Sequence, residues 1–250
     1  MKKDSGVYSV GCNKGVDVVS DLTLWQLPPQ TLILRAGELH LWRFELDCST
    51  EKSRSQQRIL SADELVRAER LLDPQKKQYF ISARSHLRQL LGIYLKLSPE
   101  LICFNYNENG KPFLSAPKEA VLSFNLSHSG SRAIVAVVAD SDVGIDIEKI
   151  EPALDFHQLA SRYFDLTEKK QLTNFSEVRQ RRGFYRLWTR KEAGLKMLGS
   201  GFSGHNREER LATTSNRGYL QSPFLASGYV AAVATNTEIT SISRFNFPIE

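Results

Sequence analysis

The sequence predicts an α+β protein with two similar halves, because strand and helix patterns follow one another twice along the chain. Residues 38–46 (ELHLWRFEL) alternate apolar and polar side chains, as a half-buried strand does. Helical spacing of apolar residues follows over 61–97, strand patterns over 101–150, and a mostly helical segment over 153–199. The last clear strand pattern is YVAAVAT at 229–235. No internal sequence repeat accompanies this order, so the division into halves rests on the pattern of elements alone.

Start and stop signals mark the first helical region. Ser61 followed by Glu64 matches a capping box, in which each side chain bonds the backbone N–H of the other residue. Pro74 after Asp73 starts the next helix, because proline suits the first helical turn. Pro99 ends that helix, since the residue before a proline disfavours helical backbone. The region is therefore predicted to hold two consecutive helices.

Turn residues divide the following region into strands. Asn-Gly at 109–110 predicts a tight turn. The runs VLSFNLSHSG (121–130) and RAIVAVVAD (132–140) have the apolar content of two strands joined by a short turn. A second turn at 140–141 leads directly into VGIDIEKI (143–150). We therefore expect this acidic strand to form one arm of an antiparallel hairpin.

Composition and charge exclude several classes of protein. Of the 250 residues, 41% are hydrophobic and 24% charged, which is ordinary for a soluble globular protein. Its 33 Lys+Arg against 28 Asp+Glu give a net charge of +5, which favours an anionic partner without predicting nucleic-acid binding. Cys12, Cys48 and Cys103 form no CxxC pair, which argues against disulfides and a zinc site. No apolar run reaches the length of a signal peptide or membrane span, so we expect a cytoplasmic protein that binds no membrane.

An acidic strand is the first candidate site. In DVGIDIEKI (142–150), the side chains of Asp142, Asp146 and Glu148 are expected on one face, because strand side chains alternate. Flanking arginines could offset their repulsion, as could a hard divalent cation, which prefers oxygen ligands. Mg²⁺ commonly uses one or two carboxylates and fills its octahedron with water and phosphate oxygens. Gly144 beside the acids would leave room for the close approach of a ligand.

A second candidate site lies on the helix predicted over 184–201. Lys191 falls in the middle of its apolar stripe, where a charged amine needs an anionic partner. Glu192 and Lys196 fall at the edge of the stripe, beside Trp188. A helix-surface pair at i,i+4 would account for Glu192 and Lys196 but not for Lys191. A phosphate held by the lysines, with the carboxylate nearby as a base, would account for all three.

Three other patterns have simpler interpretations. GSGFSG at 199–204 matches GxGxxG but follows a helix instead of a strand, so helix termination is preferred to dinucleotide binding. Gly-Lys at 110–111 is followed by proline, which excludes a Walker A loop. His128, between Ser127 and Ser129, alone indicates a structural histidine. A Ser–His nucleophile pair is not supported, because adjacent strand residues point apart.

The helices of the first region carry basic side chains. Taken alone, these indicate a solvated basic face, because charged side chains mostly lie in water. The residues concerned are Arg67, Arg70, Arg84 and Arg88.

Several short motifs stand in order along the chain and together are specific. They are GKPFL (110–114), NLSHS (125–129), GIDIE (144–148) and WTRKEA (188–193), preceded by the basic patterns VRAERLL (66–72) and SARSHLRQLLGIYL (82–95). In this order and spacing the sequence resembles the Sfp-type 4′-phosphopantetheinyl transferases, over about residues 38–235. Any one of the motifs alone would be weak evidence.

The resemblance implies a reaction and a fold. The enzyme would move 4′-phosphopantetheine from coenzyme A to a serine of an apo acyl or peptidyl carrier protein, in fatty acid, polyketide or nonribosomal peptide biosynthesis. Adenosine 3′,5′-bisphosphate would leave, and Mg²⁺ would be required. The family fold is a pseudo-dimer of two α/β halves in one chain, a monomer with coenzyme A in the cleft between. We place the halves at 36–140 and 141–250, after a loosely ordered lead-in at 1–35.

The resemblance also implies roles for the acidic residues. Asp146 and Glu148 match the family's metal-binding strand, and Glu168, the last residue of RYFDLTE (162–168), matches its third metal-binding acid. Asp165 with Glu168 also fits a helix capping pair, so both interpretations stay open. Glu192 would be the general base for the carrier serine, directly or through a metal-bound water.

The basic residues would bind coenzyme A. Lys191 and Lys196 would hold the pyrophosphate and stabilise the leaving group. Arg88 has no clear counterpart in the family and is expected to be structural. The 3′-phosphoadenosine end would contact Arg67, Arg70, Arg84, Lys111, Ser127 and His128.

Two alternatives use the same residues differently. A Mg²⁺-dependent phosphohydrolase would use the carboxylates with water as the nucleophile. A non-catalytic basic module would bind RNA or an acidic partner through the helical arginines, and it gives no role to the acidic strand or to Lys191. The sequence does not identify the carrier protein or its pathway.

Overall fold

The structure is a computed structural model, and it describes residues 25–116, 122–200, 219–221 and 226–248. Most of the predicted lead-in, residues 1–24, lies outside the described residues, as does Cys12. Residues 25–35 lie beside the first sheet, where Trp25 is buried and the guanidinium of Arg43 stacks over its ring. No helix in the described ranges is long and apolar enough to cross a membrane.

Among the described residues, the part of the chain before residue 140 contains five strands and three α-helices. Signals read from the sequence explain its helix ends: the carboxylate of Glu64 accepts the backbone N–H of Ser61, and Asp73 caps the helix that starts at Pro74. The elements are β1 (Glu38–Glu45), α1 (Thr50–Gln57), α2 (Ala62–Glu69), α3 (Pro74–Leu95), β2 (Cys103–Tyr106), β3 (Pro112–Ala116), β4 (Leu122–Ser129) and β5 (Arg132–Ala139).

The second half supplies the remaining elements. Its long helix ends at Gly199, whose φ of 68° is the left-handed conformation that terminates helices, as predicted. The elements are β6 (Val143–Lys149), α4 (Phe156–Tyr163), α5 (Leu166–Thr173), α6 (Glu177–Leu198), β7 (Tyr219–Gln221), β8 (Tyr229–Thr235) and β9 (Ser241–Asn246).

The strands form three sheets, and this corrects one expectation. The orders are β4-β5-β1-β9, β2-β3 and β6-β8-β7. The hairpin predicted between residues 132–140 and 143–150 is wrong, because β6 pairs with β8, with Ile145 opposite Val233. Asp140, at a φ of 52°, turns the chain out of the first sheet. The C-terminal strand β9 pairs in parallel with β1, so the chain crosses the division at 140–141 again.

The sheets and helices stack in four layers. Helix α3 packs Leu87 and Leu91 on one face of the first sheet. The opposite face packs Ile134 against Ile145 and Ile147 of the β6-β8-β7 sheet. Helix α6 covers the outer face of the β6-β8-β7 sheet, where Ala193 and Met197 pack against alanines of β8. Each large apolar side chain buried in these layers contributes about 1.5–3 kcal/mol, so the layers fix the position of β6 firmly.

Candidate active site

Side chains of β4 bind the backbone edge of β6, although the two strands belong to different sheets. Alternate residues of β4 point to β6, and each accepts a backbone N–H that the β6–β8 ladder leaves unpaired. The resulting junction replaces a strand ladder with side-chain hydrogen bonds. The pairs are Asn125 Oδ1 with Ile145 N (2.8 Å), Ser127 Oγ with Ile147 N (3.3 Å) and Ser129 Oγ with Lys149 N (3.0 Å).

The same serines bind the carboxylates of the acidic strand. Ser127 donates to Asp146 Oδ1 at 3.1 Å, and Ser129 donates to Glu148 Oε2 at 2.8 Å. Lys196 of α6 completes the cluster, with its Nζ 2.6 Å from Asp146 Oδ1 and 3.0 Å from Ser127 Oγ. Side chains of β4, β6 and α6 therefore share one polar network.

Asp146 is buried with half of its hydrogen-bonding capacity unused. Only 3% of the residue is exposed, and its Oδ2 has no hydrogen-bond partner. Burial raises the pKa of Asp146, against the lowering influence of Lys196. Burial, and then the charge of Asp146, raise the pKa of Glu148 as well. A buried oxygen without a partner is costly unless a ligand binds it, so the geometry suits a cation at Asp146.

Glu192 shares the electrostatic field of this acid pair. Burial first, then the charges of Asp146 and Glu148, raise its pKa to about 7, while Lys196 acts in the opposite direction. A carboxylate with a pKa near neutrality can both accept and release a proton under physiological conditions.

Gly144 brings α6 onto β6. A Cβ at this position would collide with the backbone of Ala193 and Met197. The space that the sequence suggested for a ligand is therefore filled by the helix, which corrects that expectation. The close contact places Glu192 and Lys196, on the same helix, over the acidic strand.

Lys191 lies in a different environment from the one expected. Its side chain is 1% exposed, and its Nζ lies 2.8 Å from Glu168 Oε2. The anion that the apolar stripe required is thus a buried acid and not a phosphate. Glu168 also accepts the backbone N–H of Asp165, so the capping interpretation is confirmed. Glu168 Oε2 is therefore shared between the amine of Lys191 and the cap of α5.

Comparison with known proteins identifies the family of this chain. The profile of the 4′-phosphopantetheinyl transferase superfamily matches residues 142–235, which include β6, α6 and β8. The chain is 37% identical over 199 residues to the 4′-phosphopantetheinyl transferase HetI of Nostoc, covering 79% of this chain and 84% of HetI. The chain belongs to the 4′-phosphopantetheinyl transferase superfamily. Two shorter matches are the AcpT transferase of Escherichia coli K12 (41% over 112 residues, 45% of this chain and 55% of AcpT) and a Bacillus subtilis 4′-phosphopantetheinyl transferase (40% over 107 residues, 43% and 46%).

The four arginines that the sequence placed on one basic face of this transferase divide into two groups. Arg84 and Arg88 are buried and bind the two oxygens of Glu64, at 2.5 and 2.6 Å. Arg88 also donates to two backbone carbonyls, which supports its expected structural role. The basic face read from the sequence therefore holds for the exposed Arg67 and Arg70 only.

Lys111 of the GKPFL motif connects the β2–β3 hairpin to β6 and α6. Its Nζ donates to Val143 O at 3.1 Å and to Met197 O at 3.0 Å. Asn107 and Asn109 of the same hairpin donate to Gly199 O, at 2.8 and 3.0 Å. The hairpin thus binds the carbonyl end of α6, where backbone acceptors are unpaired. Beside Lys111 lies an open cavity of about 460 Å³, bounded by residues of both halves.

His128 lies on β4 between Ser127 and Ser129, and it is exposed. Desolvation by the surrounding protein, and then the positive charge of Lys196, lower the pKa of His128. The proximity of the two basic side chains at an accessible position suits an anion.

Sequence reasoning missed the junction between β4 and β6 and one neighbour of the acidic strand. Asn125 and Ser129 were read only as members of a motif, although their alternation with Ser127 was the signal for one strand face. Glu192 was read as a base and not as a neighbour of Asp146 and Glu148. Within the described ranges, no three His, Cys, Asp or Glu side chains form a group that could hold a metal alone.

Proposed function

We propose that this transferase moves 4′-phosphopantetheine from coenzyme A to a serine hydroxyl of an acyl or peptidyl carrier protein. Adenosine 3′,5′-bisphosphate is the second product. The observation that carries the proposal is Glu192, a carboxylate with a pKa near 7 that lies beside the Lys196–Asp146 pair. A base and a cation so placed are what transfer of a phosphoryl group to an alcohol needs.

Each residue has a defined part in the reaction. The serine oxygen attacks the phosphorus that carries the pantetheine, and the bond to the bridging pyrophosphate oxygen breaks. Glu192 accepts the serine proton. Lys196, whose side chain is 30% exposed, neutralises the charge that develops on the leaving phosphate. His128 and the exposed Arg67 and Arg70 bind the 3′-phosphoadenosine end.

Mg²⁺ fits the acid pair. The unpartnered Oδ2 of Asp146 and the carboxylate of Glu148 would hold it, and water and phosphate oxygens would complete its shell. Two carboxylates suffice for Mg²⁺, because water and phosphate oxygens can fill the rest of its octahedron. When bound, the ion neutralises pyrophosphate charge. Lys191, Arg84 and Lys111 support the site through their buried or backbone contacts.

The remaining features of the proposal follow the family. We propose a cytoplasmic monomer built as a pseudo-dimer of two α/β halves, with coenzyme A at the cleft between them. Membership of a transferase superfamily favours group transfer over the hydrolase and the non-catalytic module considered above.

One experiment tests the function. The full chain is incubated with coenzyme A, Mg²⁺ and an apo carrier protein, and the carrier mass is measured. We expect one phosphopantetheine to be added at the carrier serine, and a carrier with that serine changed to alanine to stay unmodified. Release of phosphate without carrier modification would instead indicate a phosphohydrolase, and no reaction would indicate a binding module. Glu192→Gln is the matched inactive control.

A further inference from the structure

The junction between β4 and β6 uses one asparagine and two serines of β4. The serines stand where β6 carries an acid, and the asparagine stands where it does not. Asn125 binds the N–H that follows Gly144, a residue without a side chain. Ser127 and Ser129 bind the N–H groups that follow Asp146 and Glu148. A hydroxyl can accept one hydrogen bond and donate another at the same time. Each serine therefore fastens the strand and still has a proton for the adjacent carboxylate.

The carboxylate bonds leave one oxygen of each acid available. Ser129 donates to Oε2 of Glu148. Within the described part of the chain, no hydrogen bond reaches Oε1 of Glu148. Ser127 donates to Oδ1 of Asp146, and Oδ2 is without a partner. Glu148 is only half-buried, so without Ser129 its side chain would have several rotamers available. Holding it in one rotamer beforehand reduces the entropy lost on binding a cation.

We propose that Ser129 is a positioning residue of this transferase: its hydroxyl holds the Glu148 carboxylate in the orientation that binds Mg²⁺. Ser127 does the same for Asp146, and Asn125 serves only to join the strands. The proposal rests on the metal role given to Asp146 and Glu148 above. Groups that orient metal ligands typically contribute 10- to 100-fold in metal affinity, so loss of the Ser129 hydroxyl is expected to weaken Mg²⁺ binding about 10-fold.

The test compares three variants of the full chain. Ser129→Ala removes both bonds, Ser129→Thr keeps the hydroxyl, and Asn125→Ala removes a junction bond that touches no carboxylate. Mg²⁺ binding is measured by calorimetry without coenzyme A, together with the melting temperature. We expect about 10-fold weaker binding for Ser129→Ala and near-normal binding for Ser129→Thr. Asn125→Ala is expected to melt earlier but to bind Mg²⁺ like the wild type.

Each outcome separates the two proposals. If the wild type binds Mg²⁺ and Ser129→Ala binds it equally well, positioning by Ser129 is refuted and the metal assignment stands. If the wild type binds no Mg²⁺, the metal assignment fails and the positioning role with it, while carrier modification remains the test of the transfer reaction. The comparison of Ser129→Ala with Ser129→Thr is decisive even if Asn125→Ala does not fold.

Discussion

Lys191 and Glu168 form a buried ion pair, with the lysine Nζ 2.8 Å from the glutamate Oε2 and side chains only 1% and 5% exposed. The pair joins α6 to the start of α5, since Glu168 also caps that helix. Removing one partner of a buried pair leaves an uncompensated charge, which typically costs about 3–5 kcal/mol. Lys191 therefore supports the helix that carries Glu192, and its effect on catalysis is expected to be indirect.

A double-mutant cycle tests this role for Lys191. Lys191→Met alone is expected to destabilise the protein by about 3–5 kcal/mol, measured by denaturant unfolding. Lys191→Met with Glu168→Gln should recover much of that loss, because both charges are gone and the amide can still cap α5. The folded double variant should bind coenzyme A nearly as well as the wild type. If the double variant is stable but has lost its affinity for coenzyme A, Lys191 does contact the pyrophosphate.

The sequence predicted elements whose signals are local. Ser61 with Glu64, Pro74 after Asp73, and Gly199 each act within a few residues, and all three helix ends lie where the sequence indicated. Helix α1 was missed because its sequence TEKSRSQQ has no apolar periodicity, although Ser49 caps it.

Contacts between distant residues could not be predicted in the same way. The pairing of β6 was wrong because a tight turn between two apolar strands favours a hairpin, while the true partner β8 follows about 80 residues later. Lys191 lies in the apolar stripe of α6, which showed that its charge needs an anionic partner. Periodicity cannot show that this partner is Glu168. Motifs indicated which residues matter, and only the fold shows which of them meet.

Replacement of Glu192 by glutamine tests the general base. The amide keeps the shape and hydrogen bonding of the side chain but cannot accept the serine proton. General-base catalysis contributes about 10²–10⁴-fold, so we expect the single-turnover rate to fall by that factor. Coenzyme A affinity, measured by calorimetry, should change little. Normal turnover would assign the base to a metal-bound water or to Glu148.

The raised pKa of Glu192 also predicts a pH-dependent gain in stability for the same variant. In the folded protein this carboxyl has a pKa of about 7, against an ordinary value of 4.5 for a glutamate in water. Between these values the folded state binds more protons than the unfolded state, so stability contributed by Glu192 falls as the pH rises through 7. Without Mg²⁺, Glu192→Gln should melt at a higher temperature than the wild type at pH 8 and show no gain at pH 4. An equal gain at both pH values would contradict the raised pKa.

Gly144→Ala tests the contact between β6 and α6. The added Cβ would meet helix backbone at Ala193 and Met197, which cannot move aside as a flexible side chain could. Overpacking of this kind costs about 1–3 kcal/mol or more and should displace Glu192 and Lys196 from the acidic strand. We expect a lower melting temperature and loss of transfer. Ile145→Val, which only removes a methyl group from the same strand, is the control and should keep its activity.

Recognition of the 3′-phosphate of coenzyme A separates His128 from Lys111. His128 is exposed near Lys196, whereas the Nζ of Lys111 is already bound to the carbonyls of Val143 and Met197. A charge-assisted bond to phosphate contributes about 1.5–3 kcal/mol, so the wild type should bind dephospho-coenzyme A roughly 10- to 100-fold more weakly than coenzyme A. His128→Ala should reduce this difference. Lys111→Met should preserve the difference, because it loosens the end of α6 and lowers the affinity for both ligands alike. Calorimetry of the two ligands with the three proteins gives the answer, and a reduced difference in Lys111→Met would show that the lysine leaves the carbonyls to bind the phosphate.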